Sequence, residues 1–230
     1  MKKIMLSAVI LAAGAGRRLN AAIEKPLVKI GRKPVIIYSL ESFSKHPDID
    51  EIIVVVSAKN KQVITRVVEK YSFKKIKIFC LGGRRRQDSV YAGIRAVNPS
   101  CDWVLIHDCA RPFVSTKSIT KVISEAKRTQ AAILGVPVKA TIKSIKDVNI
   151  VDRTLDRSSL WEIQTPQVFK KELILKAYNR YIKEDFTDDA SLVEKIGAKV
   201  KIVQGSYGNI KITTKEDFLF AEVIVKNKLL

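Results

Sequence analysis

The sequence lacks most of the features that would indicate a secreted, zinc-binding or membrane protein. Its three cysteines are an odd number without C-x-x-C spacing, which excludes a disulfide framework and a zinc site and indicates reduced thiols. Two histidines, His46 and His107, are too few for a histidine-based metal cluster. No apolar run approaches the ~20 residues that span a bilayer, so we expect no membrane partner. Met1 to Lys3 lead directly into the first apolar run, so we read no targeting segment and expect a cytoplasmic protein.

Negative charge is also scarce, since 23 acidic residues stand against 42 basic ones and give a net charge of +19. A basic chain can bind nucleic acid. Here, however, the lysines are spread over the whole chain, and no run of aromatic residues is interleaved with them. A diffuse positive field also steers small anionic substrates toward a protein. We therefore expect anionic small molecules, and not nucleic acid, as the main partners.

Short β-branched runs alternate with amphipathic helical stretches along most of the chain, which is typical of α/β proteins. We predict a single domain over residues 1–230, with a Rossmann-like, mostly parallel twisted sheet flanked by helices. The predicted strands are Ile4–Leu11, Glu51–Ser57, Lys75–Leu81, Trp103–His107, Ala131–Val138 and Lys199–Val203. The predicted helices are Pro34–Lys45, Lys61–Tyr71, Gln87–Val97, Lys117–Arg128, Lys170–Tyr181, Asp189–Ile196 and Lys215–Asn227.

One stretch, residues 138–160, breaks this alternation. It has no helical period, and its short apolar pieces are separated by Lys146 and Asp147. This pattern predicts a β-hairpin that protrudes from the sheet, with a loosely packed surface loop as the alternative. Because a protruding hairpin exposes strand edges and apolar side chains, it is usually covered by a partner.

The first predicted strand runs into a loop of small residues, LAAGAGRR, and Lys25 follows it. Small residues let backbone N–H groups approach an anion closely, and the arginines and the lysine supply positive charge for a polyphosphate. Leu19 stands where the third glycine of a dinucleotide fingerprint would be, and Walker A spacing is absent. The loop therefore predicts a triphosphate site at the carboxyl end of the first strand, with a solvated basic turn as the alternative.

Two further segments end predicted strands and point to the same edge. GGRRRQDSV, residues 82–90, opens a helix, and its two glycines allow close backbone approach, so a base or ribose could dock there; a glycine-rich turn with arginines in water is the alternative. Asp108 directly follows the fourth predicted strand and is the candidate ligand for Mg²⁺. We interpret its neighbour His107 as structural.

The cationic candidates are Arg18, Lys25, Arg157 and Lys211, and the sequence shows no convincing pair of nucleophile and base. A phosphate monoester has a second pKa near 6, so as an attacking group it needs no general base at neutral pH. Catalysis then depends on in-line positioning and on charge stabilisation around the α-phosphorus. The inventory favours nucleotidyl transfer over hydrolysis or acyl transfer. Residues 152–157, which include Arg157, are equally consistent with a cluster of surface ion pairs.

Over nearly its full length the chain resembles the 2-C-methyl-D-erythritol 4-phosphate cytidylyltransferases of the non-mevalonate isoprenoid pathway. The segments that carry the resemblance occur in the family order: LAAGAGRR with Lys25, GGRRRQDSV, HDCARPF, PVKATIK, TLDRSSLWEIQTPQ, TDDAS and GNIKIT. The resemblance implies a fold of the nucleotide-diphospho-sugar transferase type. It also implies conversion of CTP and methylerythritol phosphate to CDP-methylerythritol and pyrophosphate, with Mg²⁺ or another divalent cation as cofactor.

The resemblance further implies a role for each matched residue. Ala12, Ala13, Gly14, Gly83 and Ser89 would bind CTP, and Asp108 would serve the nucleotide and the metal. Arg18 and Lys25 would stabilise the pentacoordinate phosphorus as the catalytic residues. Thr141, Arg157 and Lys211 would position methylerythritol phosphate. Family members are homodimers, so the hairpin would be a dimerisation arm whose Thr141 and Arg157 complete the neighbour's site.

Two other functions remain open at this stage. A ribitol 5-phosphate cytidylyltransferase is similar in fold and motifs, although those relatives tend to begin with LAGG where this chain has Leu11 to Gly14. A non-catalytic nucleotide-binding or RNA-binding protein belongs to a different class. It would not need the pair Arg18 and Lys25, and its affinity would fall steeply with salt.

Overall fold

The computed structural model describes residues 4–14, 24–227 and 229. The strands are β1 Leu6–Leu11, β2 Lys29–Ile30, β3 Lys33–Pro34, β4 Glu51–Val56, β5 Ile76–Leu81, β6 Trp103–Asp108, β7 Ala131–Pro137, β8 Lys143–Asp147, β9 Ile150–Thr154, β10 Trp161–Lys170 and β11 Lys201–Gln204. The helices are α1 Val35–Lys45, α2 Lys61–Glu69, α3 Arg86–Ala96, α4 Thr116–Thr129, α5 Lys171–Tyr181, α6 Asp189–Lys195 and α7 Lys215–Lys226. All six predicted strands and all seven predicted helices are present, with ends that move by one or two residues.

Seven strands form one sheet in the order β11-β7-β10-β6-β1-β4-β5. Strand β1 lies between β4 and β6 and is parallel to both. Only β10 runs against its neighbours, so the sheet is mostly parallel, as predicted. The strand order reverses beside β1, because β4 and β5 lie on one side of it and the chain then crosses to β6 on the other side. In open α/β sheets, ligands bind in the crevice at that switch point. The carboxyl ends of β1 and β6 are therefore where a site is expected.

Apolar side chains point alternately to the two faces of the sheet, and helices cover both faces. Along β1, Ala8 and Ile10 pack toward α1, α2 and α4, whereas Val9 packs toward α3, α5 and α6. A smaller apolar cluster seats α7 through Ala221 against Ile30 and Phe113. Burial on both faces explains why these strands are continuous β-branched runs. No helix in the described part of the chain is long and apolar enough to cross a membrane.

Strand β10 is the main element that the sequence pattern did not predict. Gln164 and Gln167 lie within it and are buried, although a polar run is typical of a surface segment. Gln164 donates to the backbone oxygen of Ser206 at 2.9 Å, and Gln167 donates to Asp188 at 2.8 Å. Because these bonds replace water, a buried strand can carry polar side chains. The strand also has a register shift between the two glutamines, which breaks its alternating pattern.

In the described part of the chain, strands β8 and β9 pair only with each other, antiparallel, within residues 138–160. The side chains of Ile145, Val148, Ile150 and Val151 are all more than half exposed there. An apolar strip of this kind on a hairpin is costly to leave in water. The function of this hairpin as a dimerisation arm stays a prediction.

Candidate active site

The loops after β1 and β5 meet at the carboxyl edge of the sheet. Ala12 continues the line of β1 by donating its N–H to the carbonyl of Val55 at 2.7 Å. A Cβ on Gly82 would lie 2.9 Å from the Cβ of Ala13 and 2.5 Å from Oγ of Ser89, so only glycine lets these loops touch. Ser89 is buried, and its Oγ accepts the N–H of Gly83 at 3.2 Å. The predicted nucleotide residues on these two loops are thus neighbours, and Gly14 lies beside them at an exposed position.

Of the two predicted catalytic residues, the structure places one. Lys25 begins a short 3-10 turn, Lys25–Leu27, which the buried Pro26 anchors. The Lys25 ammonium favours the thiolate form of Cys109, although burial dominates and raises the pKa of Cys109 to about 12. Lys25 therefore lies on the side of the site near Cys109, which is the residue directly after β6. Arg18 falls outside the described residues.

Asp108 is the electrostatic centre of the site. Its Oδ1 accepts from Nε of Arg86 at 3.0 Å, and its Oδ2 lies 2.6 Å from Nζ of Lys211. Burial alone would raise the pKa of the Asp108 carboxyl, but the two cations overcome that effect and hold the pKa well below its usual range. Asp108 is therefore ionised at neutral pH.

The backbone around Asp108 is fixed by buried hydrogen bonds. The N–H of Asp108 donates to Oγ1 of Thr165 on β10 at 3.1 Å. His107 contacts the same hydroxyl through Nδ1 at 3.1 Å and the carbonyl of Arg111 through Nε2 at 3.0 Å. Burial lowers the pKa of His107 to about 3, so the ring is neutral at physiological pH. This agrees with the structural role predicted for His107.

Two cavities open beside this centre. The first has a volume of about 490 Å³ and is lined by residues that include Arg86, Asp108 and Lys211. The second has a volume of about 400 Å³ and shares Lys211 and Arg111 with the first. Arg111 is buried and donates to the backbone oxygens of Asn209 at 2.7 Å and Ile163 at 3.2 Å. Cationic side chains thus converge on a space that can hold a small anionic molecule.

Comparison with known proteins identifies the family of this chain. The family model of 2-C-methyl-D-erythritol 4-phosphate cytidylyltransferase (IspD) matches residues 6–227. The chain belongs to this family. It is 44% identical to the cytidylyltransferase of that name from Clostridioides difficile, over 96% of this chain and 94% of the relative. The corresponding protein from Caldanaerobacter subterraneus is 46% identical, over 96% and 99% of the two chains.

Solved structures agree with the family assignment. The 4-diphosphocytidyl-2C-methyl-D-erythritol synthase from Anaerococcus prevotii superposes with a TM-score of 0.86 at 37% identity, covering 97% of this chain and 96% of its own. The Thermus thermophilus 2-C-methyl-D-erythritol 4-phosphate cytidylyltransferase superposes with a TM-score of 0.79 at 29% identity, covering 97% and 100%. The predicted fold class is confirmed, and the protein is a cytidylyltransferase of the isoprenoid pathway.

The remaining predicted site residues of this IspD family member lie near the base of the hairpin. Thr141 is exposed between β7 and β8, and Arg157 is exposed in a 3-10 turn after β9. Arg157 donates to the backbone oxygen of Lys139 at 2.5 Å. Among the described residues, neither Thr141 nor Arg157 lines the two cavities beside Asp108. Lys211 and Asp108 are therefore brought together within one chain, whereas Thr141 and Arg157 are not brought to them.

The donor set fits a divalent cation that is held mainly by a nucleotide. Within the described ranges, no three His, Cys, Asp or Glu side chains are grouped closely enough to bind a metal by themselves. Mg²⁺ commonly takes one or two protein carboxylates and completes its shell with water and substrate phosphates. Asp108 offers one ionised carboxylate, and the Lys211 side chain on its Oδ2 is 40% exposed and can move away. Asp108 is thus a suitable ligand only when Lys211 has another partner.

Sequence reasoning assigned no role to Arg86, Arg111 or Asp189, although all three stand in segments that it quoted. The arginine triplet 84–86 gave no sign of which member turns inward. Arg84 is exposed and Arg85 pairs with Asp88, while Arg86 reaches Asp108. The helical period offers a partial signal, because Arg86 begins α3 three residues before the buried Ser89.

Proposed function

We propose that this cytidylyltransferase joins CTP and 2-C-methyl-D-erythritol 4-phosphate to give 4-diphosphocytidyl-2-C-methyl-D-erythritol and pyrophosphate. A phosphate oxygen of the acceptor attacks the α-phosphorus of CTP, the new P–O bond forms, and the bond to the β-phosphate oxygen breaks in line with it. The observation that carries this proposal is the pairing of Lys211 with Asp108, because it places a cation for a phosphate beside a carboxylate for a metal.

The reaction needs charge stabilisation more than proton transfer. The acceptor phosphate is largely ionised at neutral pH, since its second pKa is near 6, so no general base is required. The transition state spreads negative charge over the oxygens of the α-phosphoryl group. We assign the stabilisation of that charge to Lys25 and Arg18. Lys25 lies near Cys109, the residue that follows β6. This position at the edge of the sheet supports the role assigned to Lys25.

The nucleotide and the acceptor take different parts of the site. Ala12, Ala13 and Gly14 form the first loop for CTP, and Gly83 and Ser89 line the second. Their direct contact through Gly82 supports a shared nucleotide site. Lys211 holds the acceptor phosphate from within the same chain.

The acceptor site also draws on a second copy of the chain. We propose a homodimer in which the hairpin reaches across and Thr141 and Arg157 complete the partner's acceptor site. Their position away from the cavity of their own chain and the exposed apolar strip on the hairpin support this arrangement. Isologous dimers of this kind create two equivalent sites.

We propose Mg²⁺ as the cofactor, held by Asp108 and by the phosphates of CTP. When bound, it neutralises charge on the nucleotide phosphates. Transfer of Lys211 from Oδ2 of Asp108 to the acceptor phosphate frees that oxygen. The two roles of Asp108 and Lys211 are then compatible in one reaction.

The test is pyrophosphate release by the purified protein, with CTP, UTP, ATP and GTP crossed against methylerythritol phosphate and ribitol 5-phosphate. We expect turnover only with CTP and methylerythritol phosphate, and only with a divalent cation present. The same mixtures with EDTA, and without acceptor, are the controls. Turnover with ribitol 5-phosphate instead would overturn the proposed acceptor, and turnover in EDTA would overturn the metal.

A further inference from the structure

Arg86 bridges two buried carboxylates at the floor of the site. Its Nε donates to Oδ1 of Asp108 at 3.0 Å, and its Nη1 lies 2.9 Å from Oδ2 of Asp189. Asp108 and Asp189 are both buried, with Asp189 fully excluded from water. A planar guanidinium presents its donors to two carboxylates in fixed directions, whereas a lysine ammonium is a point charge whose three donors rotate. The preceding Arg85 is different, because it pairs with Asp88 and the exposed Asp185.

Asp189 is itself held from two sides. The hydroxyl of Tyr178 on α5 donates to Oδ1 of Asp189 at 2.6 Å, and Tyr178 is fully buried. Asp189 is also the first residue of α6, whose N-cap Asp188 accepts from Gln167 of β10 at 2.8 Å. The TDDAS segment, residues 187–191, therefore ties α5 and α6 to the sheet and presents one fixed carboxylate to Arg86.

This chain of contacts, from Tyr178 through Asp189 and Arg86, ends at the carboxylate of Asp108. Because Arg86 occupies Oδ1 of Asp108, Oδ2 is the oxygen directed at Lys211 and the cavity. The terminal torsion of an aspartate is broad and nearly two-fold, so a lone carboxylate at this place would rotate. Arg86 can stop that rotation only if its own plane is fixed, and Asp189 fixes it.

We propose that Arg86 is a positioning residue for cytidylyl transfer, and that with Asp189 it holds the carboxylate plane of Asp108 so that one oxygen faces the substrates. The inference rests on the proposed function, because that function gives Asp108 its task. It assigns a role to the TDDAS segment without direct contact between Asp189 and substrate. Positioning of this type contributes to the rate more than to substrate affinity.

The test uses Arg86→Ala with exogenous guanidinium in the pyrophosphate-release assay. We expect kcat to fall by at least about tenfold, while KM for CTP and for the acceptor changes by less than about threefold. Millimolar guanidinium should restore kcat several-fold, because Arg86 lines the open cavity of about 490 Å³. Ammonium at the same concentration should not, since it carries the charge without the bridging geometry. Asp189→Asn should lower kcat in the same way.

Arg95→Ala is the matched control, because Arg95 lies exposed on the same helix and its loss should leave kcat and KM unchanged. An unchanged kcat in Arg86→Ala, or equal rescue by ammonium and guanidinium, would refute the positioning role. If Arg86→Ala does not fold by circular dichroism, Arg86→Lys decides, and a wild-type kcat in that variant overturns the proposal. If the wild-type protein releases no pyrophosphate at all, it is the proposed function that fails, and the two failures are therefore distinct.

Discussion

The ammonium of Lys211 and the carboxylate of Asp108 lie 2.6 Å apart, although the proposed reaction sends them to different partners. The pair keeps the buried Asp108 ionised while the site awaits its substrates. Lys211 is 40% exposed, so water can solvate it when it leaves, whereas the buried Asp108 needs another cation in its place. Substrate phosphate and a metal can therefore separate the two side chains.

Replacing Lys211 should affect the acceptor more than the nucleotide. Lys211→Met is expected to lower kcat/KM for methylerythritol phosphate at least tenfold, about 1.4 kcal/mol, because the acceptor phosphate loses a charged partner. Steady-state kinetics with each substrate varied in turn measures this. Lys215→Met removes a nearby exposed lysine and should change neither constant. A loss confined to KM for CTP would assign Lys211 to the nucleotide instead.

Lys25 and Arg18 should act on the chemical step. Lys25→Ala or Arg18→Ala is expected to lower kcat at least tenfold, about 1.4 kcal/mol, and to raise KM far less, because the charge they meet develops in the transition state. Lys29→Ala, at an exposed lysine four residues beyond Lys25, is the control and should behave as wild type. An effect limited to KM would contradict a catalytic role.

A site shared between two protomers can be tested by complementation. Arg157→Ala and Lys25→Ala homodimers should each be nearly inactive. A mixed dimer regains one intact site, because the Arg157→Ala protomer supplies Lys25 and the other supplies Arg157. Random reassortment should then give roughly a quarter of the wild-type activity per chain, since half of the dimers are mixed and each has one working site. Failure to regain activity, with mixed dimers confirmed by mass, would argue against a shared site.

His46 should make the protein less stable in mild acid. It is buried, its Nε2 contacts Oγ1 of Thr120 at 2.9 Å, and its Nδ1 accepts from the N–H of Asp48. Burial lowers its pKa below 6.5, with Asp48 opposing the shift and Lys75 and Lys127 adding to it. Below pH 6.5 the unfolded chain binds a proton that the folded protein does not bind. The free energy of unfolding therefore decreases as the pH is lowered, by at most about 1.4 kcal/mol per pH unit from this group.

Urea unfolding at pH 7.5 and pH 5.5, for the wild-type protein and for His46→Gln, measures that contribution. The wild-type protein should lose more stability between the two values than the variant does. His107 and the carboxylates are common to both proteins, so their titration cancels in the comparison. Parallel losses in the two proteins would show that His46 carries no such linkage.

Gly93 permits close packing of α3 on the sheet. An added Cβ would overlap the side chain of Val9 and lie 2.9 Å from Cγ2 of Val55, and both valines are rigid and buried. Gly93→Ala is therefore expected to reduce the free energy of unfolding by about 1–3 kcal/mol. Gly208→Ala, whose nearest contact would be an ordinary 3.5 Å, is the control for thermal unfolding. Equal melting temperatures for the two variants would contradict this packing argument.

Hydrophobic periodicity predicted the strands that are buried on both faces of the sheet. Strands β1, β4 and β6 are buried on both faces and are therefore continuous apolar runs, which periodicity detects. The capping box of Thr214 and Asp217 in α7 is local in the same sense, because both residues belong to one turn. Strand β10 was not readable, since its buried glutamines depend on Ser206 and Asp188, which come from other parts of the chain.

The α/β class, the family, the order of the elements other than β2, β3 and β10, and the places of Asp108, Lys25 and Lys211 at strand ends and loops can all be read from the sequence alone. These properties follow from local periodicity, from short motifs and from the rule that ligands bind at the carboxyl edge of a parallel sheet. That Arg86, of three consecutive arginines, turns inward to join Asp108 and Asp189 depends on the packing of distant segments and is seen in the structure. The reason is physical: a buried carboxylate takes its counter-charge from whichever side chain the packing brings within reach, and that distance is not a function of sequence separation.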